Sequence, residues 1–222
     1  MEEPRIVRLA SVTSTQEVAR ELPIGSIVVA DHQTAGRGRL DRRWEAPPGS
    51  ALLASFVLEP HPLLSLAAGV AAAEACGPDV RLKWPNDLML RGRKLGGILV
   101  EVGGGKAVVG IGINLTSAPP GAARLGRLRD ELLDRLRADL SVWTSASSGR
   151  ILARWRELSV TLGRHVRVAL PGHTFEGIAQ DIAEDGALVV DGQRIGAGDV
   201  IHLRQRGPAA RSRAAPRPSA RG

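Results

Sequence analysis

Residues 95–115 constrain the fold of this chain more than any other stretch. Two apolar runs, Leu95–Val102 and Ala107–Leu115, are joined by Gly103-Gly104-Gly105. Apolar runs of strand length bounded by glycine read as a β-hairpin. The second run has almost no polar side chain before Asn114, so it reads as a buried strand. Ser50–Leu58 is a third apolar run and also reads as a buried strand. Pro62–Cys76, rich in alanine and leucine, reads as a helix that packs tightly on a sheet. The chain has 222 residues, 43% of them hydrophobic, enough for one sizeable core and a small satellite domain.

The remaining elements arrange around that frame. Ile6–Leu9 reads as a short strand. Ser14-Thr15-Gln16-Glu17 fits a capping box, with Ser14 as N-cap and Glu17 three residues on, opening a helix that Pro23 stops. Ser26–Ala30 and Val80–Trp84 read as strands, with Pro85-Asn86-Asp87 as a turn. Leu125, Leu128, Leu132, Leu136 and Leu140 recur at three- and four-residue steps, which predicts one amphipathic helix ending near Trp143. A second helix covers Ile151–Leu158. After Gly163 the period changes: 165–170, 174–183, 187–190 and 200–203 read as short strands between Gly and Asp turns. A small β-barrel or SH3-like domain of that size leans on its neighbour for stability. The expected fold class is therefore α/β (α+β). The expected division is 1–162 for the main domain, 163–204 for the β domain and 205–222 for a basic, disordered tail.

Charge and signals exclude several classes. The formal charge is +7, but Arg204, Arg206, Arg211, Arg213, Arg217 and Arg221 supply six of those charges with no acid among them. The rest of the chain is nearly neutral, so specific DNA binding is not expected. No apolar stretch is long enough to span a bilayer, and Met1–Arg5 has no signal-peptide pattern, so a cytoplasmic protein is expected. Cys76 is the sole cysteine and sits among alanines, which reads as core. The five histidines show no metal-ligand spacing.

The chemistry concentrates in a few segments. Gly36-Arg37-Gly38-Arg39-Leu40-Asp41-Arg42-Arg43-Trp44 holds four arginines and two glycines without any hydrophobic period. Arginine forks match phosphate and carboxylate oxygens, and glycine admits a ligand close to the backbone. The segment is therefore either a mobile anion-binding loop or an exposed basic turn. It is not a Walker loop, and Gly110-Ile111-Gly112 lacks the rest of a dinucleotide fingerprint. Lys94 precedes Gly96-Gly97: it either sets a point charge against a phosphoryl or carboxyl oxygen while the glycines admit substrate, or lies in solvent. Asn86 and Asp87 serve equally well as turn formers. Asn114 ends a buried strand, where it reads a base edge or satisfies backbone groups.

At these residues the chain resembles the biotin protein ligases. The matching motifs are Ser14-Thr15-Gln16, Gln33–Arg39, Lys83-Trp84-Pro85-Asn86-Asp87, Arg93–Glu101 and Gly110–Leu115, in the family's order and spacing. The resemblance covers roughly residues 5–203 and is carried by five ordered motifs rather than one loop. It implies a catalytic domain like that of class II aminoacyl-tRNA synthetases, with a mixed sheet, followed by an SH3-like domain. It implies ATP and biotin as substrates, Mg²⁺ as cofactor, and a biotin carboxyl carrier domain of an acyl-CoA carboxylase as partner, with the ligase a monomer or weak homodimer. Biotin would become biotinyl-AMP and pass to a carrier lysine.

By the same resemblance, Ser14, Thr15, Gln16, Gln33, Arg37, Gly38, Arg39, Lys94 and Gly97 bind biotin. Arg39, Trp44, Lys83, Asn86, Ile98 and Asn114 bind the nucleotide. Lys94, Arg37 and Arg39 would be catalytic, and Asp87 would meet the metal. Two departures stand out. Asp41 replaces a usual glycine, and its charge sits among arginines that would hold the adenylate. Ser14 comes too early to leave room for the DNA-binding helix-turn-helix that some members carry, so repression is not expected. Three other readings remain: a lipoate ligase of the same fold, against which the Gly-Arg-Gly-Arg loop argues; a protein that holds biotin or its adenylate without catalysis; and a nucleic-acid module using the basic tail.

Overall fold

The computed structural model describes residues 5–170, 173–196 and 198–203. The basic tail expected over 205–222 lies outside the described residues.

One mixed seven-stranded sheet forms the frame. In chain order its strands are β1 (Ile6–Val12), β2 (Ile27–Gln33), β3 (Ala51–Leu58), β4 (Val80–Lys83), β5 (Asp87–Leu90), β6 (Arg93–Gly103) and β7 (Lys106–Asn114). Their spatial order is β1-β2-β3-β7-β6-β5-β4; β1 runs parallel to β2 and every other neighbouring pair is antiparallel. The hairpin expected over 95–115 is the β6–β7 pair, with Gly103 opposite Lys106 and positive φ at Gly104 and Gly105.

Side chains alternate across this sheet, and the alternation decides what covers each face. Val29, Ala54, Ile111 and Ile98 align across strands, as do Ile27, Phe56, Val109 and Val100. These rows face α2 (Leu64–Cys76), which packs in turn against α3 (Arg129–Thr144) and α4 (Ser148–Leu158). Nearly every residue of α2 is buried, as befits a helix apolar all round. Cys76 lies in this core, and burial pushes its thiol up to about 12. Glu74 on α2 accepts from Trp143 Nε1 (2.8 Å) and Arg154 Nε (2.7 Å), which ties the three helices together.

The opposite face has a smaller cover. α1 (Thr15–Arg20) closes it only over Val28, Val57 and Val108. Farther along, the same face presents Leu53, Gly112 and Gly97 in one cross-strand row and Ser55, Gly110 and Leu99 in the next. Gly97, Gly110 and Gly112 in those rows leave the part of the floor between Leu53 and Leu99 without side chains.

Several expected boundaries shift. Ser14 caps α1 by accepting from Gln16 N, whereas Glu17 accepts from Thr13 Oγ1 (2.5 Å) instead of closing a capping box. Helix α3 begins at Arg129 rather than Leu125. The segment before it is spent on the end of the sheet: Ala123 N donates to Lys94 O, Leu125 N to Asn114 O and Gly126 N to Leu115 O. Leu128 is consequently exposed, outside the apolar stripe. Strand β5 follows the Pro85–Asp87 turn and was not legible as a separate strand. It joins β6 through Arg91-Gly92, both with positive φ, as a two-residue hairpin turn requires.

The C-terminal region is a five-stranded antiparallel sheet in the order β11-β10-β9-β8-β12. Its strands are β8 (His165–Leu170), β9 (His173–Ile182), β10 (Leu188–Val190), β11 (Gln193–Ile195) and β12 (Asp199–His202). Strand β11 is the one that strand patterning misses; Asp191-Gly192, with both φ positive, is the turn signal that reveals it. Val166, Val168, Ile182, Leu188 and Val200 join the same continuous core as the large sheet. Trp84 bridges the two sheets, its backbone N donating to Thr161 Oγ1 (3.0 Å) and its Nε1 to Gly186 O (3.1 Å).

Candidate active site

The open part of the large sheet is the floor of a cavity of about 410 Å³. Its walls come from α1, the basic loop over 36–44, the Lys83–Asp87 turn and the C-terminal sheet. Nearly all the residues picked out from sequence line it: Ser14, Thr15, Gln16, Gln33, Arg37, Gly38, Arg39, Trp44, Lys83, Asn86, Asp87, Lys94, Gly97 and Ile98. Asn114 is the exception. It is buried, donates from Nδ2 to Ala123 O (3.0 Å), and borders a separate hollow beside His32 and Pro47.

One end of the cavity is polar and organised. Gln33 Oε1 accepts from Thr15 N (2.8 Å) and Thr15 Oγ1 (3.0 Å), while Thr15 Oγ1 also meets Ser55 Oγ (2.8 Å). Spending its oxygen on α1 leaves Gln33 with its amide nitrogen free to donate. Gln16 is turned the other way. Its Nε2 donates to Glu101 Oε2 (3.0 Å), with Leu99 O and Val108 O at 3.4 and 3.5 Å, and its buried Oε1 has no partner among the described residues. Buried acceptors are normally satisfied, so an orphan bordering a cavity marks where a ligand donor belongs. This end therefore offers a donor and an acceptor on a small-residue floor.

The basic loop lies over that floor. Arg37 and Arg43 form an isolated antiparallel bridge, Gly38 N donates to Arg42 O (2.7 Å), and Trp44 N donates to Gly36 O (2.9 Å). The loop is thus a narrow hairpin, with Arg37, Arg42 and Arg43 largely exposed and Arg39 and Trp44 turned to the cavity. Leu40 and Asp41 turn its tip with φ 53° and 56°. Asp41 accommodates the left-handed angle that glycine usually fills, as Asp does more readily than most residues. Among the described residues it makes no ion pair, so its charge is not spent on the loop arginines. A Cβ on Gly36 would stand 2.2 Å from Trp44 O, and one on Gly112 would stand 2.7 Å from the Trp44 ring. Those two glycines let the loop close and let Trp44 lie flat on the sheet.

Arginine charge points inward. Arg39 Nη1 is buried without a partner among the described residues, and burial pulls its guanidinium below the usual value while Asp199 and then Asp87 oppose that shift. An arginine remains charged under such a shift, so a buried, unpaired donor of this kind calls for an anion. Arg42 instead pairs with Asp199 on β12, which brings the C-terminal sheet to the cavity wall. No strand or turn pattern pointed to Asp199, Val200 or Ile201 as site residues; only tertiary contact puts them there.

Lys94 Nζ lies 2.5 Å from Asp87 Oδ1, and both line the cavity. Two expectations take structural form around this pair. Of the two glycines beside Lys94, only Gly97 faces the site; a Cβ on Gly96 would meet Gly112 O at 2.5 Å, so packing requires that glycine. Asp87, expected to meet a metal, has its carboxylate engaged by Lys94. Among the described residues no cluster of three or more His, Cys, Asp or Glu side chains exists. The cavity's two lining carboxylates, Asp87 and Asp199, each pair with a cation and are too few oxygen donors for a protein-held divalent cage, so the donor set does not fit a resident divalent metal. Asn86 spends its side-chain amide on Ile98 O (2.7 Å), which fixes the turn.

The chain as a whole is similar to known proteins. Residues 8–117 match the Biotin/lipoate A/B protein ligase family, and residues 161–203 match the Biotin protein ligase C terminal domain. A biotin–[acetyl-CoA-carboxylase] ligase of Mycobacterium tuberculosis is 38% identical, the alignment covering 81% of this chain and 80% of the relative. The chain belongs to the biotin protein ligase family. Another member of that ligase family, the biotin–[acetyl-CoA-carboxylase] ligase of Paracoccus denitrificans, is 33% identical, with 83% and 93% covered. The solved structure of the biotin protein ligase from Aquifex aeolicus, in complex with biotin and ATP, is 28% identical with a TM-score of 0.76, covering 90% of this chain and 99% of that one. Among the described residues, no helix of this ligase-family chain is long and apolar enough to cross a membrane.

Proposed function

We propose that the cavity activates biotin with ATP and passes it to a lysine of a biotin carboxyl carrier domain. The observation that carries this reading is the pairing of two features over one glycine floor. One is a polar end with an acceptor and a donor for a cyclic urea. The other is a buried arginine, Arg39, with an unpartnered donor for an anion.

In the first step a biotin carboxylate oxygen attacks the α-phosphorus of ATP, the bond to the β-phosphate oxygen breaks, and pyrophosphate leaves. Lys94 and Arg39 offset the charge that builds where two anions meet. Arg37 anchors the loop that carries Arg39. Ser14, Thr15, Gln16, Gln33, Gly38 and Gly97 shape the biotin end; Trp44, Lys83, Asn86 and Ile98 line the nucleotide side. Asn114 supports that side through the backbone it binds, or reaches adenine from the neighbouring hollow. In the second step the carrier amine attacks the acyl carbonyl, AMP leaves, and the amine gives up a proton. Between the two steps the loop and the flat Trp44 keep water from the mixed anhydride. Mg²⁺ would accompany ATP; no step is assigned to a protein-held ion, since Asp87 is already paired.

This reading also takes the large sheet and its helices as related to class II aminoacyl-tRNA synthetases, and the C-terminal strands as an SH3-like unit.

The test is intact-mass analysis of a carrier domain incubated with this protein, MgATP and either biotin or lipoate. A biotinyl increment with biotin alone is expected. A lipoyl increment would reassign the acyl group. Neither increment, with no pyrophosphate released, would make the protein a binding module.

A further inference from the structure

We propose that Glu101 is the positioning residue that sets this site's acyl specificity, by fixing which end of the Gln16 amide faces the ligand. The inference rests on the reading of the cavity as a biotin site and deepens it. Glu101 lies on β6 opposite Val108, one row beyond the glycine floor, and does not itself line the cavity. Its carboxylate gathers three donors: Gln16 Nε2 at 3.0 Å, Arg37 Nη2 at 3.0 Å and Arg20 Nη2 at 2.7 Å.

The polarity of Gln16 follows from that arrangement. Nε2 donates to the Glu101 carboxylate, with the carbonyls of Leu99 and Val108 at 3.4 and 3.5 Å; an amide oxygen in its place would face those three acceptors. The amide oxygen is thereby turned away from them, buried and unsatisfied, beside Gly110 on the cavity floor. An oxygen in that position accepts a ligand N–H. A cyclic urea supplies one; a dithiolane ring does not. Leaving this acceptor unpaired penalises a ligand without the donor more than added contact rewards it. Glu101 thus makes an N–H on the acyl group's ring a condition of binding.

Removing the carboxylate reverses the logic. Arg20 and Arg37 have only donors to offer. Freed from Glu101, they attract Gln16 Oε1, and the amide turns its Nε2 toward the cavity. Donor would then face donor.

The experiment measures biotin and ATP affinity for the full chain and for Glu101→Ala, Gln16→Ala and the double variant, by calorimetry and by pyrophosphate exchange. Loss of one buried hydrogen bond predicts roughly a tenfold rise in the biotin KM for each single variant, with the ATP KM within about twofold of the parent. Because Glu101 acts through Gln16, the double variant is expected to be no worse than the weaker single, within about twofold. Glu101→Gln, of the same size, should lie between parent and alanine variant and guards against simple unfolding. Unchanged biotin affinity in Glu101→Ala, or losses that multiply in the double variant, would overturn the assignment. Failure of the parent chain to bind biotin at all would instead overturn the reading beneath it.

Discussion

Lys94 Nζ on β6 sits 2.5 Å from Asp87 Oδ1 on β5, so the cation proposed for phosphoryl chemistry is held by a carboxylate one strand away. Lys94 is nearly half exposed, which makes the pair cheap to rearrange when an anion arrives. Asp87 aims the ammonium at the cavity and gives it somewhere to rest without substrate. Replacing Lys94 by Ala should lower the adenylation rate by roughly 10²–10³, as loss of one oxyanion donor does elsewhere, with little change in melting temperature. Pyrophosphate exchange with biotin checks this; turnover equal to the parent would remove Lys94 from the chemistry.

Arg39 carries a buried guanidinium nitrogen with no partner among the described residues. Arg39→Gly removes that anion anchor and should release biotinyl-AMP into solution. Chromatography of the supernatant after a single turnover would detect it. Retention of the adenylate on the variant protein would argue that the loop's grip lies elsewhere.

Gly112 supports Trp44. A methyl group there would come within 2.7 to 3.0 Å of three ring atoms, closer than real contacts allow. Gly112→Ala should therefore lift the indole from the sheet and speed hydrolysis of the adenylate, while the buried residues of β7 on the opposite face keep the fold. Faster AMP release without a carrier, with an unchanged far-ultraviolet spectrum, is the expected pair of results.

Thr161 is fully buried and accepts from Trp84 N at 3.0 Å. Thr161→Val keeps the shape and leaves that backbone donor unsatisfied. A loss of about 1–3 kcal/mol in urea unfolding is expected. A change within error would mean that water or another acceptor takes over.

His202 approaches the same hydroxyl at 3.3 Å. Burial, then the nearby charges of Lys83 and Arg164, lowers its folded pKa. The unfolded chain takes up the proton more readily, so stability is full above about pH 6.5 and falls as the solution is acidified through that value. His202→Gln should flatten this segment of the stability profile. Thermal melts from pH 7.5 to 5.5 would show it, and an identical slope in both proteins would assign the loss to other groups.

Much of this molecule is legible along the chain. The apolar runs around Gly103–Gly105 and the alanine-rich helix gave the central hairpin and its cover, because strand and helix periods are local properties. The five motifs located all but one of the cavity's expected residues. What escaped them were matters of partner rather than period. Leu125 and Leu128 continue the helical spacing of α3, yet their backbone is drawn onto the end of β7, where carbonyls of Asn114 and Leu115 await donors. Asn114 reads equally as a base contact or a backbone partner, and the fold shows its Nδ2 donating to Ala123 O. Gly96 and Gly97 look equivalent in the sequence, but strand alternation sends one into the packed face and the other to the site.

The sequence by itself determined most of the elements and the types of group the site contains. Tertiary structure alone decided their polarity and pairing: Gln16 turned by Glu101, Gln33 turned by Thr15, Lys94 held by Asp87, and Asp199 brought to Arg42 from the far end of the chain. Spacing fixes which face a side chain occupies. An amide's orientation or a cation's partner depends on charges more than eighty residues away in some pairs, and only the folded chain brings them within hydrogen-bond reach.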